Sequence, residues 1–387
     1  DGKPVDTLEK GDQAILIANQ TPFYGESGGQ MGDQGILKTA DGAVFTVTDT
    51  QKKLGDMVLH IGTLTEGSLH RGDALELLVD GERRSKLRAN HSVTHLAHEA
   101  LRQVLGDHVT QKGSQVNADA MRFDFAHPKG LSLEEIDQVE RLVNAQIRMN
   151  APVTTRLMTP DEAIKAGALA LFGEKYGEEV RVVSMGAPKG DASGHVYSTE
   201  LCGGTHVRRT GDIALFKISE SAVASGVRRI ECLTGQAALD YLATQESRVK
   251  SIAAQMKVSP VDVTDRVVSL MEERKRLERE VSDLTRKLAA GGGGSGAPQE
   301  AKEIAGIKFA SRVLDGVSPK ELKPLADQLK TQLGSGIVAV IAVNDGKASL
   351  VVGVTDDLTQ RFDAVSLVRA GAEAMGGKGG GGRPDMA

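Results

Sequence analysis

The chain has 387 residues, of which 40% are hydrophobic and 26% charged, and its formal net charge at pH 7 is −5. This length and composition are typical of two or three ordinary globular domains. The sequence contains no run of about 18 apolar residues, the length that a membrane-crossing helix needs. The acidic balance excludes a globally positive nucleic-acid binder, so any nucleic-acid partner must bind a local basic patch.

The two cysteines, Cys202 and Cys232, lie far apart and do not make a disulfide framework. No secretory segment is visible, so reduced thiols and a cytoplasmic location are expected. The chain opens on DGKPVDTLEK without an initiator Met and closes on GGRPDMA, inside a Gly-rich loop. Both ends are therefore expected to be cuts in a longer protein.

Short apolar runs separated by turn residues fill the first 82 residues. QAILIANQ, AVFTVTDT, MVLHIGTL and ALELLVD have the composition of strands, and the DG and RGD turns separate them. This part is predicted to be β-barrel-like or a strongly bent sheet.

A mixed α+β block is predicted over 83–235. Apolar residues recur at helical spacing over 83–105, and Gly106 suits the end of that helix. Ser132 and Glu135 have the spacing of a capping box at the start of a second helix. Strands are predicted around MRFDFAH, VTTRLMT, VRVVSM and IALFKISE, with a short helix at PDEAIKAG.

The last part of the chain is predicted to be a long helical spacer followed by a small domain. Residues 236–290 are nearly all helical in pattern, with a break near VSPVD, and GGGGSGAP over 291–298 is a flexible linker by composition. Two rows of apolar residues seven apart predict a coiled coil or helical hairpin; the alternative is a surface helix packed on its own domain. Residues 299–387 predict a β-α-β-β-α domain. The first row is Val263, Leu270, Leu277 and Leu284, and the second is Val267, Val281 and Leu288, interrupted by Arg274.

Two pairs of residues have the spacing of metal ligands. His91 and His95 lie four apart on the predicted first helix, so both imidazoles share one face. Cys202 and His206 flank two glycines that allow a tight turn. Each pair alone is weak, because such histidines are mostly surface residues and Cys202 could equally be a buried hydrophobe or a nucleophile. Together they favour Zn2+ over Mg2+ or Ca2+. His98, on nearly the same face, is interpreted as a chance histidine.

A glycine-rich stretch, TPFYGESGGQMGDQG, occupies residues 21–35. It predicts either a bulged hairpin or a loop whose backbone closely approaches a ligand. In the second case Glu26, Ser27 and Gln30 offer polar contacts.

Five motifs in order carry a resemblance to a known family. TPFYGESGGQMGDQG, HSVTHLAHEALRQVLG, VTQKGSQV, CGGTHV and GVRRIECLTG resemble the editing domain of alanyl-tRNA synthetases. The seven-residue rows and the final GGKGGGGRPDMA resemble that family's helical dimerisation segment and globular tRNA-binding domain. The resemblance implies an editing domain over 1–235 (a β-rich part over 1–82 and a zinc-binding part over 83–235), a spacer over 236–290, a linker over 291–298, and a truncated C-terminal tRNA-binding domain over 299–387.

The resemblance also implies a reaction, a cofactor and partners. The editing domain hydrolyses seryl- and glycyl-tRNA(Ala), with one zinc ion per chain, tRNA(Ala) as partner, and a possible homodimer through 263–288 and the C-terminal domain. ATP would be used only in an upstream aminoacylation core, which is expected to be missing here. By motif match, the zinc ligands are His91, His95, Cys202 and His206, the catalytic candidates are Gln111, Arg229 and Cys202, and the glycine-motif contacts are Ser27, Gly28, Gly29 and Gln30.

Basic residues are candidates for contacts with tRNA phosphates. Arg84 and Arg88 belong to a basic run just before the histidine pair, although such short runs are more often solvated faces. Lys378 and Arg383 lie in GGKGGGGR, where glycine backbone can approach RNA closely. The alternative for this stretch is a flexible tail left by truncation.

Several alternatives stay open at this stage. A four-ligand site is closed, whereas catalytic zinc keeps one position open. Either one ligand is labile, or zinc orients the substrate while a separately held water attacks the ester. Cys202 could instead form an acyl-enzyme. The chain could also be a free-standing trans-editing hydrolase, or a non-catalytic, zinc-stabilised RNA-binding and dimerisation module.

Overall fold

The computed structural model describes residues 3–169, 177–188, 195–224, 227–291, 301–315, 317–344 and 346–387. Apart from Gly291, the predicted linker over 291–298 lies outside these residues. The chain forms two compact units, Asp1–Arg248 and Val249–Ala387, described separately below. The domain limits inferred from the sequence stay predictions. Among the described residues, no helix is both long and apolar enough to cross a membrane.

The first unit begins with seven strands arranged in two sheets. The five-stranded sheet has the order β2-β5-β4-β3-β7, and β1 pairs with β6. Phe45, Leu37 and Leu64 are buried in its core. The strands are β1 (Thr7–Glu9), β2 (Gln13–Leu16), β3 (Gly35–Lys38), β4 (Val44–Lys53), β5 (Met57–Glu66), β6 (Ser68–His70) and β7 (Glu76–Val79).

The β-barrel-like expectation for this part is corrected to an open, bent sheet. Within residues 3–82, the strands at the two ends of the order, β2 and β7, do not pair with each other. The pairing of β4 with β5 shifts register between Val44 and Phe45, and again between Val47 and Asp49. Such bulges bend and twist a strand, so the sheet curves without closing.

The rest of the first unit is a mixed α+β block, as predicted. Its sheets have the orders β13-β14-β9-β8 and β10-β11-β12. The predicted capping box of α2 is confirmed, because Ser132 and Glu135 each bond the other's backbone N–H. The elements are α1 (Gly81–Leu105), β8 (Gln111–Val116), β9 (Met121–Ala126), α2 (Leu133–Met149), β10 (Thr154–Met158), α3 (Pro160–Lys165), β11 (Val180–Pro188), β12 (Val196–Leu201), β13 (Phe216–Ala224) and β14 (Val227–Thr234).

Helix α1 lies at the centre of this block and positions the histidine pair. It begins at Gly81, two residues before the predicted start, because the Asp80 side chain accepts a hydrogen bond from the Arg83 N–H at 2.9 Å. It ends at Leu105, with Gly106 as its C-cap, as predicted. The helix is buried from Ala89 to Leu101 on every side. Side chains along HSVTH therefore face protein, and polar ones among them need partners.

The helical spacer contains the predicted break. Helix α4 (Gly235–Met256) and helix α5 (Val263–Gly291) are separated by a short turn that includes Pro260–Asp262. On α5, the seam residues Leu270, Leu277 and Leu284 are 37%, 47% and 51% exposed. The coiled coil itself stays a prediction.

The C-terminal elements follow the predicted β-α-β-β-α order, with one extra strand at the start. The sheet order is β15-β16-β17-β18. Strands β16 and β17 pair in parallel, and α6 connects them in the sequence. The last residues do not behave as a flexible tail, because the Ala387 N–H and C=O both bond the backbone of Val352, at 3.0 and 2.8 Å. The elements are β15 (Lys302–Ile304), β16 (Ile307–Asp315), α6 (Leu322–Leu333), β17 (Ile337–Asn344), β18 (Lys347–Val354) and α7 (Ala364–Ala374).

Candidate metal centre

The two predicted ligand pairs meet in the first unit. His91 and His95 are one turn apart on α1 and buried, while Cys202 and His206 are half-buried in the loop after β12. One nitrogen from each imidazole and the sulfur of Cys202 all lie within 4.8 Å of one another. The structure thus brings together residues more than 100 positions apart in sequence.

The inward-facing atoms of the cluster are the three Nε2 nitrogens and one sulfur. Nε2 of His91 and Nε2 of His206 lie 3.4 and 3.3 Å from Sγ of Cys202. Nε2 of His95 is buried and has no hydrogen-bond partner within the described residues. A buried polar atom without a partner calls for an explanation, and an ion is one.

The outward-facing Nδ1 atoms are each held by a different oxygen. Nδ1 of His91 lies 2.6 Å from Oε1 of Gln30, and Nδ1 of His95 lies 2.6 Å from Oε2 of Glu200. Nδ1 of His206 lies 3.2 Å from Oγ of Ser92. Because the Gln30 and Glu200 oxygens can only accept, their histidines donate from Nδ1, so that in the neutral imidazole the Nε2 lone pair faces inward. That tautomer is the one a metal-binding histidine uses, with an oxygen behind it.

The donor set and its surroundings fit a tetrahedral metal ion. Three imidazole nitrogens and one thiolate match the ligands of structural zinc sites. The loop that carries two of them is shaped for this role, because an added Cβ at Gly204 would collide with the His91 ring and lie 3.0 Å from Oε1 of Gln30. Arg181 holds the same loop by donating to the carbonyls of Cys202, at 3.3 Å, and Gly204.

The electrostatics of the cluster favour an anionic sulfur. Burial opposes ionisation of Cys202, but the charge on His95 and the contacts of the sulfur with the His206 and His91 imidazoles outweigh it and lower the pKa of the thiol to about 2. Burial lowers the pKa of His206 to about 3, which keeps its imidazole neutral. Burial also opposes charge on His95, yet Glu200 and Cys202 raise its pKa to about 10. A cation that binds here would displace that proton.

Two residues that the sequence did not identify as part of the site, Glu200 and His98, support the ligand His95. Glu200, on β12, accepts from His95 and also lies 2.9 Å, through Oε1, from Nδ1 of His98. His98 is therefore not a chance histidine, because it occupies the second oxygen of the carboxylate that orients His95. All three side chains are at least nine-tenths buried. Glu200 lies two residues before Cys202 in the sequence, but nothing in that spacing points to His95.

The glycine-rich stretch contains a tight turn at 27–30. Ser27 and Gln30 exchange backbone hydrogen bonds at 3.2 and 3.0 Å. Gly28 and Gly29 have φ values of +56° and +84°, which suit a type I′ hairpin turn. The turn docks on β8 through Gly29, whose carbonyl accepts from the N–H of Val116 at 2.7 Å. Ser27, Gly28 and Gly29 are exposed, whereas Gln30 is buried.

Gln111 and Arg229 lie on strands either side of β9. Gln111 begins β8, opposite Phe125, and its Nε2 donates to Oγ of Ser114 at 3.2 Å. Arg229 lies on β14, opposite Asp124, and donates to both carboxylate oxygens of Asp124, at 2.7 and 2.9 Å. An added Cβ at Gly29 would collide with the Ser114 carbonyl, so Gln111 lies one contact away from the glycine turn.

The Arg229–Asp124 pair predicts a pH dependence of stability. Hydrogen bonds from Arg229 hold the pKa of the Asp124 carboxyl below its usual value, against the effect of burial. Its stabilisation is therefore complete above the unfolded-state pKa of about 3.9 and is lost as pH falls through the lower native pKa. Asp124→Asn should reduce the fall in unfolding free energy between neutral and acidic pH, measured by urea unfolding. Asp119→Asn, in the exposed turn after β8, is the control; equal pH profiles for wild type and Asp124→Asn would contradict the assignment.

The predicted tRNA contacts have different surroundings. Arg84 is already paired with the buried Asp33, which its Nε contacts at 2.7 Å. Arg88 is half-buried, and its Nε has no hydrogen-bond partner within the described residues. Burial and the neighbouring charges of Arg84 and Arg208 lower the pKa of Arg88. Lys378 and Arg383 are exposed in the second unit.

Family models match three parts of the chain. Residues 1–83 match a model described as tRNA synthetases class II (A), and 180–231 match the threonyl and alanyl tRNA synthetase second additional domain. Residues 306–387 match the DHHA1 domain. The second of these models covers β11, β12, the CGGTHV loop and most of β14. Residues 180–231, which carry Cys202 and His206 of the cluster, therefore match a synthetase second additional domain.

Curated relatives align with the whole chain. The alanine–tRNA ligase of Parvibaculum lavamentivorans is 61% identical over 391 residues, and that of Rhizorhabdus wittichii is 56% identical over 388. Each alignment covers 100% of this chain and 44% of the relative. A solved C-Ala domain of Aquifex aeolicus alanyl-tRNA synthetase is 27% identical, covering 22% of this chain and 76% of its own, with a TM-score of 0.21. The chain belongs to the alanyl-tRNA synthetase family, and it spans less than half the length of these curated relatives.

Proposed function

We propose that this chain is the editing and tRNA-binding part of an alanine–tRNA ligase. It hydrolyses seryl- and glycyl-tRNA(Ala) in the cytoplasm, with one zinc ion held by the cluster described above. The observation that carries the proposal is the convergence of three Nε2 atoms and one sulfur, each imidazole backed by its own oxygen. In the longer protein, ATP-dependent attachment of alanine to tRNA(Ala) is part of the same proposal.

In hydrolysis, the cluster would bind the zinc ion and the glycine turn would contact the 3′ end of the tRNA. A bound zinc ion would polarise the ester carbonyl or lower the pKa of a water molecule. His91, His95, Cys202 and His206 would hold that ion. The exposed tip of the turn, with no side chain at Gly28 or Gly29, lets backbone approach the 3′ end of the tRNA closely.

Selectivity against alanine requires polar recognition. Alanine is smaller than serine, so a pocket cannot reject it by size alone. A site that pairs the serine hydroxyl rejects alanine, because alanine would leave the pairing groups unsatisfied. Ser27, at the exposed tip of the turn, is our candidate for this contact.

In this proposal, tRNA is bound mainly through contacts with its phosphates. Aromatic residues make up only 3% of the chain, so base stacking is a minor mode. Arg88 is a better candidate for a phosphate contact than Arg84, because Asp33 already balances the charge of Arg84. In the second unit, Lys378 is the corresponding candidate, whereas Nε of Arg383 lies 3.4 Å from a carboxylate oxygen of Asp385.

We also propose a homodimer through 263–288 and the C-terminal domain. Leu277→Glu places a charge in the exposed apolar seam and should shift the sedimentation mass at micromolar concentration from dimer to monomer. Lys275→Glu, two residues away and off the seam, should leave the mass unchanged. A wild-type chain that sediments as a monomer would contradict the dimer.

The hydrolase proposal is tested by the decay of seryl-tRNA(Ala). Purified wild-type chain with zinc should deacylate seryl-tRNA(Ala) and leave alanyl-tRNA(Ala) intact. Cys202→Ala should be no faster than buffer. Equal decay rates for wild type, Cys202→Ala and buffer would overturn the proposal and leave a non-catalytic RNA-binding module.

A further inference from the structure

Gln30 links the exposed glycine turn to the buried cluster. Its Oε1 accepts from Nδ1 of His91 at 2.6 Å and from the N–H of Thr205 at 2.9 Å. Its Nε2 donates to Oγ1 of Thr205 at 2.8 Å. The residue is 0% exposed. One side chain thus contacts a ligand on α1 and the loop that carries the other two ligands.

The burial and bonding of Gln30 leave no room for a substrate contact by its side chain. A glutamine amide has two acceptor lone pairs and two donor hydrogens. Both lone pairs of Gln30 and one hydrogen are used inside the protein. The second amide hydrogen is buried with the rest of the side chain.

The backbone of Gln30 has a separate task. Its N–H and C=O both bond Ser27 and close the turn whose tip is exposed. The N–H of the next residue, Met31, donates to the carbonyl of Val116 at 3.0 Å, which anchors the turn on β8. The backbone that closes the turn and the oxygen that orients His91 thus belong to the same residue.

We propose that Gln30 is a positioning residue that couples occupation of the glycine turn to metal affinity. The inference rests on the proposed function, in which the acceptor end of tRNA binds at the turn. In this proposal the acceptor end and the metal strengthen each other's binding, and they do so by the same factor because coupling between two sites is reciprocal. Loss of an oxygen behind a metal-binding histidine typically costs about 10–100-fold in metal affinity.

Two substitutions separate positioning from bulk. Gln30→Met keeps the volume and removes all three hydrogen bonds, whereas Gln30→Glu keeps an acceptor for His91 and for Thr205. Zn2+ affinity is measured by competition with a chromophoric chelator, without tRNA. The expected result is a roughly 10–100-fold loss for Gln30→Met and an affinity close to wild type for Gln30→Glu. Gln34→Met is the control, because the side chain of Gln34 donates to the exposed Thr48 carbonyl.

The coupling is measured by repeating the titration with 3′-seryl-amino-3′-deoxyadenosine, a non-hydrolysable analogue of the acceptor end. The analogue should raise Zn2+ affinity in wild type and leave it unchanged in Gln30→Met. Equal Zn2+ affinity of wild type and Gln30→Met, or no effect of the analogue on wild type, would overturn this inference while the metal centre stands. A wild type that does not bind Zn2+ would overturn the proposed function as well. Circular dichroism of the metal-free variants checks that they fold; if Gln30→Met does not fold, the effect of the analogue on the Zn2+ affinity of wild type remains the test.

Discussion

Cys202→Ala is expected to abolish stoichiometric zinc binding and with it the hydrolysis of seryl-tRNA(Ala). Cys202 supplies the only sulfur of the cluster and lies within 3.4 Å of two imidazole Nε2 atoms. Losing this ligand should lower zinc affinity by more than the roughly 10–100-fold typical of losing a residue that hydrogen-bonds a ligand. The neighbouring imidazoles lower the pKa of the Cys202 thiol, which favours the metal-binding thiolate. Zinc content after dialysis, measured by mass spectrometry, gives the result.

Cys232→Ala is the control for this variant. Cys232 is fully buried on β14 and is not among the cluster residues. Its truncation should cost about 1–2 kcal/mol of unfolding free energy and leave zinc content unchanged. Retention of zinc by Cys202→Ala at wild-type affinity would contradict the assignment of Cys202 as a ligand.

Glu200→Gln is expected to lower zinc affinity by about 10–100-fold while the four ligands remain in place. The carboxylate of Glu200 accepts from both His95 and His98. A glutamine has only one oxygen, so its NH2 group would face a histidine N–H and one of the two hydrogen bonds would be lost. Burial opposes the charge of Glu200, but His95 and His98 hold the pKa of this carboxyl far below its usual value.

The same change should destabilise the metal-free protein by about 3 kcal/mol, the scale for breaking a buried ionic pair. Urea unfolding measures this loss, and chelator competition measures the affinity. Glu220→Gln, at an exposed position on β13, should change neither quantity. Wild-type zinc affinity in Glu200→Gln would contradict the role of Glu200 in orienting His95.

Local signals predicted the elements that hold the site. The helical spacing before Gly106, the capping box at Ser132 and the break near VSPVD all depend on neighbours a few residues apart, and the structure contains each of them. The spacing of HSVTH and CGGTH likewise depends only on local geometry. These features are visible in sequence because helix and turn periodicity relates nearby positions.

The partners behind the ligands could not be predicted in this way. Glu200 and His95 are 105 positions apart, and Gln30 and Thr205 are 175 apart. Such contacts depend on how sheets and helices pack, which no local spacing encodes. The open sheet of the N-terminal part is a similar case, because closure depends on whether the first and last strands meet. The pairing of Arg84 with Asp33, 51 positions away, is likewise a contact that no local spacing encodes.

The most direct test of the central claim is the X-ray absorption spectrum of the zinc-loaded chain. The cluster predicts one Zn–S distance of about 2.3 Å and three Zn–N distances of about 2.0–2.1 Å. Cys202→Ala should remove the sulfur shell, and Cys232→Ala should leave it intact. A wild-type spectrum with only nitrogen and oxygen neighbours, or with more than one sulfur, would contradict a metal centre built from His91, His95, Cys202 and His206.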